Sequence, residues 1–545
     1  MAVPTLLSFP EIVRASAIRR PDAVAIILDR ESRTFFELLA GGERRAREIL
    51  GLGLVAGDRL GVLMPNSIEL IEILLGAAMV GVVTVPINTR FKSTELAHIV
   101  TDSGMSALWT CDGIPGVVSY PDLLCESLPG LGETKNPFAL DLTLAPRLRT
   151  IITQGEPAAG LSNVSNLRSL ANARPLPQFP DPEHPLLLMY TSGTTAKPKG
   201  CIVPHRAITA NAQSIGSRYG ISSNDVWWCP LPMFHIGGLL FLTVMLDHAG
   251  LYVGMSHFTP EAAFDLIDAT RPTVFYPLFP TITLALMDHP RFDATALDSI
   301  RCIFSVAPAD VQRKIQAAFS NATLFSAFGM TETCGAVAFN LSEDTNEQRM
   351  NTCGSALPGW ELEILDPETR TPVAPDVTGE IAVKGVGLFK GYLNDPELTA
   401  RQFTDRGFFM TGDIGTVDAG GRLRFLGRLK DQLKVGGENV SALEVESFLA
   451  THPAIKLAQV VGIADDKYGE VPVAFVETAA MQSISEEEVI AFCVGKIARF
   501  KIPRHVRIVR EWPMSATKIL KYRLREQIEL EFARGLQDGS ASGAR

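Results

Sequence analysis

The sequence lacks the cysteine spacing that is typical of disulfide frameworks and metal centres. Its 545 residues contain eight cysteines, all widely spaced and without a CxxC pair, which argues against disulfides and zinc sites. The first 20 residues also lack a basic start, an apolar run and a small-residue cleavage site, so no secretory signal is indicated. We therefore expect a cytoplasmic protein.

Long hydrophobic runs and an excess of positive charge are also missing. The longest apolar stretches are residues 74–88 and 236–246, and both are shorter than the roughly 20 residues of a membrane-spanning helix. A count of 50 Lys+Arg against 60 Asp+Glu gives a formal net charge of −10, which argues against general nucleic-acid binding. Residues 496–525 are locally basic, and either a solvated face or a phosphate-binding surface would explain them.

Length and composition indicate a large folded protein. At about 150 residues per domain, the chain corresponds to three or four compact units, or to one large unit with a small one. Hydrophobic residues make up 46% of the chain and charged residues 20%. These values argue against a disordered, collagen-like or coiled-coil protein.

Helical and strand patterns alternate in the N-terminal region. Apolar periodicity predicts helices over residues 36–50 and 67–80 and strands over residues 60–64 and 82–87. Such alternation is typical of a parallel sheet covered by helices on both faces. Five prolines between residues 173 and 185 predict a subdomain boundary, because proline interrupts regular elements.

The C-terminal third of the chain changes character. Short strands and glycine turns over residues 360–428 predict a β-rich subdomain. The expected α/β architecture is therefore a large N-terminal domain over residues 1–429 and a small α+β domain over residues 430–534. Residues 535–545, rich in Gly, Ser and Ala, predict a disordered tail. The pattern of the small domain predicts strands over residues 459–463 and 471–477 and helices over residues 443–451 and 485–498.

The strongest local signal is the sequence YTSGTTAKPKG at residues 190–200. Its hydroxyls, glycines and lysines suit a loop around a polyphosphate, because backbone N–H groups and hydroxyls donate to phosphate oxygens and lysine adds charge. A ligand-free turn is the weaker interpretation. The spacing differs from that of a Walker loop, which argues against a P-loop kinase. The candidate phosphate ligands are Thr191, Ser192, Gly193, Thr194, Thr195 and Lys199.

An ordered set of motifs resembles the adenylate-forming enzymes, which include acyl-CoA and aryl-CoA synthetases, luciferases and peptide-synthetase adenylation domains. The resemblance covers nearly the whole chain. It implies an enzyme that uses ATP and Mg²⁺ to convert a carboxylic acid into an acyl-adenylate and then transfers the acyl group to coenzyme A. After residues 190–200, the motifs are PMFHI at 232–236, FGMTET at 328–333, GYL at 391–393, TGD at 411–413, GRLKD at 427–431, KVGGEN at 434–439 and residues 514–518.

The resemblance implies which residues bind the nucleotide. Phe328 is expected to lie against adenine, Thr331 to contact the α-phosphate, and Glu332 to ligate Mg²⁺, a hard ion that often takes one carboxylate besides phosphate oxygens. Asp413 is expected to hold the ribose hydroxyls, although Thr-Gly-Asp alone is also a good turn. The same nucleotide site is expected to include Arg428 and Lys434, and residues 305–309 (SVAPA) stand at the position of the adenine-pocket segment.

Lys518 is similar in position to the lysine that catalyses adenylation in this family. A carboxylate that attacks the α-phosphate brings two anions together, so a positioned ammonium group stabilises the charge that develops. Relatives commonly carry glycine directly before this lysine, whereas Ala516 and Thr517 precede it here. Lys521 is therefore a weaker alternative.

The resemblance further implies a mobile C-terminal domain and a coenzyme A site. Lys430 matches the hinge about which that domain rotates, although an ordinary exposed lysine is the alternative. Gly436 and Gly437 are expected to let the pantetheine arm of coenzyme A pass close to the backbone.

The acyl pocket is the least specified part of the sequence. By family position, its candidate residues are His235, Tyr276, Ala327 and Gly335, with no evident cation for a second charge on the substrate. They indicate a mostly apolar acid and leave fatty, aryl, alicyclic and steroid side-chain acids open.

Other functions compete with an acid–CoA ligase. Within the family, these are an adenylation enzyme that loads a carrier protein and a luciferase-like oxygenase. Outside it, a noncatalytic nucleotide-binding regulator is the alternative. The expected partners are a carboxylic acid, ATP and coenzyme A, without nucleic acid or a transmembrane segment, and a homodimer stays open.

Overall fold

The computed structural model describes most of the chain as alternating strands and helices. The described residues are 4–156, 158–167, 175–191, 198–292, 297–465, 467–479, 482–514 and 519–541. The strands are β1 (Val24–Leu28), β2 (Glu31–Thr34), β3 (Arg59–Leu63), β4 (Val83–Pro86), β5 (Ala107–Thr110), β6 (Gly113–Ile114), β7 (Val118–Ser119), β8 (Thr150–Thr153), β9 (Ser162–Asn163), β10 (Pro185–Thr191), β11 (Lys199–Pro204), β12 (Val226–Trp228), β13 (Leu251–Gly254), β14 (Val274–Leu278), β15 (Cys302–Ser305), β16 (Thr323–Phe325), β17 (Ala327–Phe328), β18 (Ala338–Phe339), β19 (Ser355–Ala356), β20 (Trp360–Leu365), β21 (Gly379–Gly385), β22 (Gly391–Tyr392), β23 (Phe409–Val417), β24 (Leu423–Arg428), β25 (Gln432–Val435), β26 (Glu438–Ser441), β27 (Ile455–Asp465), β28 (Gly469–Thr478) and β29 (His505–Ile508).

Local sequence signals account for the helix starts. The Thr34 hydroxyl accepts a hydrogen bond from the Glu37 backbone, and the Ser67 hydroxyl accepts one from Leu70, so both residues cap the helices that follow them. The helices are α1 (Phe9–Arg19), α2 (Phe35–Gly51), α3 (Ile68–Met79), α4 (Ser93–Ser103), α5 (Tyr120–Ser127), α6 (His205–Tyr219), α7 (Ile236–His248), α8 (Pro260–Thr270), α9 (Pro280–Met287), α10 (Ala309–Ala318), α11 (Asn346–Asn351), α12 (Pro396–Arg401), α13 (Ala442–Leu449), α14 (Glu486–Cys493) and α15 (Lys521–Ala541).

Two large sheets form the body of the N-terminal domain. One has the strand order β16-β15-β14-β12-β13-β1-β2, and the other has the order β22-β11-β10-β4-β3-β5-β8-β9. Most neighbouring strands pair in parallel, and the antiparallel pairs are β1–β2, β10–β11 and β11–β22. The predicted α/β fold is confirmed.

The proline-rich segment does not separate two subdomains. Strand β10 follows these prolines along the chain but pairs in parallel with β4, with Leu187 opposite Thr84. Strand β1 precedes the prolines but pairs with β13, which follows them. The predicted boundary near residues 173–185 is therefore a connection within the domain, because each sheet contains strands from both sides of it.

Most of the remaining strands form two smaller units, while β17-β18-β19 and β6-β7 form two short separate sheets. Strands β20, β21, β23 and β24 form an antiparallel sheet of the N-terminal domain. After a 3-10 turn over Leu429–Asp431, the chain builds a separate sheet of order β26-β25-β28-β27, with β29 beside β28. Helices α13, α14 and α15 accompany this second sheet, and the predicted hinge lies in the turn between the two units.

Two predicted features of the C-terminal domain differ from the structure. The helix predicted over residues 485–498 ends at Cys493, because Gly495 has a left-handed φ of 76° that helical backbone does not allow. Helix α15 continues to Ala541, so residues 535–541 have helical backbone where the sequence predicts a disordered tail. In the part of the chain that the structure describes, no helix combines the length and apolarity needed to cross a bilayer.

His205 is a buried titratable group at the start of α6. Its side chain is 0% exposed, and its Nδ1 atom accepts a hydrogen bond of 3.1 Å from the backbone N–H of Phe9. Burial, together with the nearby His184, lowers the pKa of His205 from 6.5 to about 3. The imidazole is therefore neutral in the folded protein at neutral pH.

This burial predicts acid sensitivity of the fold. Because the pKa is lower in the folded state, the unfolded state takes up the proton first, and stability is lost as the pH falls below 6.5. We expect the contribution of His205 to the free energy of unfolding to fall by about 2 kcal/mol between pH 6.5 and 5. The test is urea unfolding across this range for wild type and His205→Asn, whose amide oxygen can replace Nδ1 as an acceptor.

The variant should show a shallower dependence of the free energy of unfolding on pH. His257→Asn, which changes an exposed histidine, is the matched control and should follow wild type. Parallel curves for wild type and His205→Asn would contradict the assignment of the proton to His205.

Candidate active site

Two antiparallel strands carry the ends of the predicted phosphate loop. Strands β10 and β11 pair with Tyr190 opposite Gly200 and Thr191 opposite Lys199. The structure therefore brings Thr191 and Lys199 to the same end of the strand pair, as a loop around phosphate requires. Four of the predicted phosphate ligands lie outside the described residues, namely Ser192, Gly193, Thr194 and Thr195.

Glu332 lies next to these strands. It is in the 3-10 turn Thr331–Thr333 and is 7% exposed. The hydroxyl of Tyr392 donates a hydrogen bond of 2.8 Å to its Oε1 atom, and the Lys199 ammonium group lies 5.6 Å from the centre of the Tyr392 ring. Burial raises the pKa of Tyr392, and the negative charge of Glu332 raises it further. The Tyr392 hydroxyl therefore stays protonated as a donor to the carboxylate.

The surroundings of Glu332 fit a magnesium ion that arrives with a nucleotide. Among the described residues, no group of three or more His, Cys, Asp or Glu side chains could hold a metal by itself. Mg²⁺ binds through one or two carboxylates when phosphate oxygens and waters complete its octahedron. A single buried carboxylate next to the ends of the phosphate loop is therefore a suitable ligand set.

Asp413 and Arg428 form the next part of the site. They are opposite each other in the β23–β24 pair, and Arg428 Nε lies 3.0 Å from Asp413 Oδ1. Asp413 is 3% exposed, so its carboxylate is held in one place. Shielding from water lowers the pKa of Lys430, and the charges of Asp431, Arg428, Asp413 and Lys199 also act on it. Lys430, the predicted hinge residue, is therefore within electrostatic range of the ribose and phosphate candidates.

A cleft of about 910 Å³ opens beside Asp413, between the two domains. Ile414, which follows Asp413, lines the cleft together with Phe425, and the ring of Phe425 is 6.0 Å from that of Phe328. Glu332 and Asp413 do not line it. The cleft therefore borders the predicted adenine side of the site rather than its predicted phosphate side. Its walls include residues 306–309 from the predicted adenine segment and Leu443, Glu444 and Ser447 of α13.

The predicted coenzyme A residues form the turn between β25 and β26. Gly436 and Gly437 have φ values of 62° and 91°, which favour glycine. A Cβ atom at Gly437 would have no neighbour within 4 Å, so the backbone there is open to an approaching molecule. Lys434 precedes this turn in β25, with its side chain exposed.

Helix α7 connects the candidate acyl-pocket residues. His235 immediately precedes the helix. Gly335 packs on its first turn, since a Cβ there would lie 3.2 Å from Leu240. Tyr276 contacts the same helix through Phe241, with ring centres 3.9 Å apart, but it is only 4% exposed. The structure thus places Tyr276 in the aromatic core behind α7, and Ala327 in the neighbouring strand β17.

Sequence reasoning gave no role to Tyr392. Its motif GYL was part of the resemblance, but Glu332 is 60 residues away along the chain. The two meet because β22 pairs with β11 and the Phe389 backbone N–H donates to the Glu332 carbonyl. Only the pairing of these strands reveals the contact. Lys518 lies outside the described residues.

Comparison with known families and structures agrees with this arrangement. Residues 13–393 match the family model of the AMP-binding enzymes, and residues 444–518 match that of the AMP-binding enzyme C-terminal domain. The chain therefore belongs to the AMP-binding enzyme family, whose members form adenylates. The predicted resemblance is confirmed.

Individual relatives narrow the class to acyl-CoA ligases. The mitochondrial medium-chain acyl-CoA ligase ACSF2 of Rattus norvegicus is 31% identical over 545 residues, which cover 95% of this chain and 87% of the relative. The protein is thus an AMP-forming ligase of the acyl-CoA synthetase type, and that prediction is confirmed.

Solved structures give the same fold. The anthranilate CoA ligase AuaEII, in complex with anthranoyl-AMP, superimposes with a TM-score of 0.85 at 26% identity, covering 98% of this chain and 99% of that one. ATP-bound MatB from Rhodopseudomonas palustris has a TM-score of 0.83 at 27% identity and covers 96% of this chain and 99% of its own.

Proposed function

We propose that the protein activates a mostly apolar carboxylic acid with Mg-ATP and transfers the acyl group to coenzyme A. The observation that carries this proposal is the meeting of Lys199, Glu332 and Tyr392 from distant parts of the chain. The Lys199 ammonium group and the Glu332 carboxylate both contact Tyr392, and Asp413 is held by Arg428 in the β23–β24 pair. These groups suit the phosphates, the metal and the ribose of one ATP molecule.

The proposed first half-reaction assigns a role to each of these groups. Asp413, held by Arg428, is positioned to accept hydrogen bonds from the ribose, while Lys199 and Thr191 face the phosphates. Glu332 would hold Mg²⁺, which supplies charge neutralisation for the phosphate groups. The substrate carboxylate attacks the α-phosphate, pyrophosphate leaves, and Lys518 stabilises the charge that develops. Positioning of the two reactants lowers much of the remaining barrier.

The second half-reaction uses the glycine turn of the C-terminal domain. Rotation about Lys430 would bring Gly436 and Gly437 to the acyl-adenylate. The thiol of coenzyme A then attacks the acyl carbon and expels AMP. The exposed, left-handed backbone of this turn supports the assignment, because a side chain there would occupy the open space beside it.

Gly437 provides a prediction that separates the two half-reactions. We expect Gly437→Leu to slow thioester formation about tenfold or more, since a side chain would narrow the open space that the pantetheine arm needs. Pyrophosphate release should stay within about threefold of wild type, because the turn is not part of the ATP site.

Gly421→Leu is the matched control for Gly437→Leu. Gly421 also has a positive φ, 78°, and also has no neighbour within 4 Å, but it lies in the N-terminal domain. The control shares the backbone strain and should change neither half-reaction. Equal loss of both half-reactions in Gly437→Leu would contradict the assignment.

An apolar substrate is supported by the surroundings of α7. Gly335, a candidate pocket residue, faces the apolar side chains of Ile236 and Leu240 on this helix. A second carboxylate on the substrate would lose its hydration at such a wall without a compensating charge. We therefore infer a single carboxylate on an apolar or aryl group.

The test is a product assay with a panel of acids, namely medium-chain fatty acids, benzoate, anthranilate and malonate. Thioester formation with the fatty or aryl acids, and none with malonate, is expected. Preferential use of malonate would contradict the apolar pocket. The cytoplasmic location and a homodimer stay predictions that cell fractionation and light scattering can check.

A further inference from the structure

Helix α4 contacts both ends of the phosphate-loop motif. His98 Nε2 lies 3.1 Å from the carbonyl oxygen of Pro198, and Asp102 Oδ2 accepts a hydrogen bond of 2.6 Å from the hydroxyl of Tyr190. Because a carbonyl can only accept, His98 carries its proton on Nε2 in this contact. Tyr190 stands before the loop residues and Pro198 after them, so one helix holds both flanks.

The spacing of the two side chains makes this possible. His98 and Asp102 are four residues apart, so they lie on the same face of α4. The ring of His98 also meets that of Tyr190 edge to face, with centres 6.4 Å apart. Burial raises the pKa of Tyr190, and the hydrogen bond to Asp102 raises it further. Tyr190 therefore remains a donor.

Asp102 also contacts the segment that follows β22. The Asn394 side-chain amide donates to the Asp102 backbone carbonyl at 3.0 Å and to its carboxylate at 3.3 Å. Asn394 follows Tyr392 by two residues, and Tyr392 donates to Glu332. One carboxylate on α4 thus connects the phosphate-loop flank to the segment behind the metal ligand.

Packing of α4 does not require these two polar side chains. The helix is held against the sheet by its buried apolar face, which consists of Leu96, Ile99 and Val100. His98 and Asp102 are half-buried on another face. Their hydrogen bonds go to the flanks of the phosphate loop and to Asn394. These side chains therefore position neighbouring segments as well as anchor the helix.

We propose that His98 and Asp102 are positioning residues that hold Pro198 and Tyr190, at the two ends of the phosphate loop, in the positions that ATP binding requires. The proposal rests on the function proposed above for the role of the loop. The β10–β11 pairing sets the separation of the flanks, and loss of either contact to α4 would let Pro198 or Tyr190 shift at the loop ends and would weaken the grip on the β- and γ-phosphates. AMP, which lacks these groups, should be affected less.

The experiment is calorimetric titration of the full-length protein with Mg-ATP and, separately, with AMP. We expect His98→Ala and Tyr190→Phe each to weaken ATP binding about three- to tenfold, the range for loss of one hydrogen bond, with AMP binding changed less than twofold. His98→Gln, whose amide can still donate to Pro198, should recover most of the affinity. The rate of thioester formation from a supplied acyl-adenylate should not change.

Thr101→Ala is the matched control on the same helix. The Thr101 hydroxyl donates to the carbonyls of Ala97 and Leu144, away from the loop, so its removal should leave ATP affinity unchanged. Equal weakening of ATP and AMP binding with a lower Tm, or no change in either, would overturn the proposal. If the wild-type protein binds ATP but makes no thioester, the proposed function is refuted. The comparison of ATP and AMP affinities between the variants and wild type would still test the positioning role.

Discussion

Replacing Glu332 by Gln is expected to lower the rate of pyrophosphate release by roughly 10²–10³-fold, the range seen when a preorganised electrostatic contact to a transition state is removed. The substitution keeps the size of the side chain and an oxygen that can accept from Tyr392. It removes the negative charge that would hold Mg²⁺. The effect should therefore appear in adenylation rather than in folding, and initial rates with saturating acid would measure it.

Tyr392→Phe is the control for this result. It removes the hydroxyl that donates to Glu332 but leaves the carboxylate charged. We therefore expect the rate of pyrophosphate release to fall by about tenfold or less, as for loss of one hydrogen bond. A higher Mg²⁺ concentration should partly restore the rate of pyrophosphate release in Tyr392→Phe but not in Glu332→Gln. Near-normal adenylation by Glu332→Gln, with an unchanged Mg²⁺ requirement, would contradict the metal-binding role.

Lys518→Ala is expected to remove adenylation selectively. Loss of a positioned ammonium group should slow pyrophosphate release by roughly 10²–10³-fold, while thioester formation from a supplied acyl-adenylate should stay close to wild type. Lys518 lies outside the described residues, and Met514 and Ile519 on either side of that segment form a β-bridge.

Lys521→Ala separates the two lysine candidates. Lys521 Nζ lies 2.5 Å from Glu446 Oε1, and Glu446 is 5% exposed. This pair lies within the C-terminal domain, so the Lys521 ammonium group already has an ion-pair partner there. We expect Lys521→Ala to lower stability and to change adenylation less than about threefold. Selective loss of adenylation in Lys521→Ala, but not in Lys518→Ala, would reverse the assignment.

Local sequence signals predicted the elements that hold the site. The apolar run of residues 82–87 became β4, and the periodic residues 67–80 became α3, because burial and capping are encoded within a few residues. The ordered motifs also predicted Glu332, Asp413 and their chemistry. These inferences needed no knowledge of which strands pair.

Contacts between distant segments could not be predicted from local sequence signals. The prolines near residues 173–185 mark a real interruption, but only the β10–β4 pairing shows that the domain continues through it. Likewise, the contacts of Tyr392 with Glu332 and of Asp102 with Tyr190 join residues 60 and 88 positions apart. They depend on sheet order, which local propensity does not specify.

The most direct test of the account is a single-turnover experiment in which enzyme, Mg-ATP and an accepted acid are mixed first without coenzyme A. We predict one pyrophosphate and one enzyme-bound acyl-adenylate per active site, followed by release of AMP and thioester when coenzyme A is added. Two results would contradict the two-step ligase mechanism. One is formation of ADP and phosphate. The other is release of pyrophosphate without formation of AMP and thioester after coenzyme A is added.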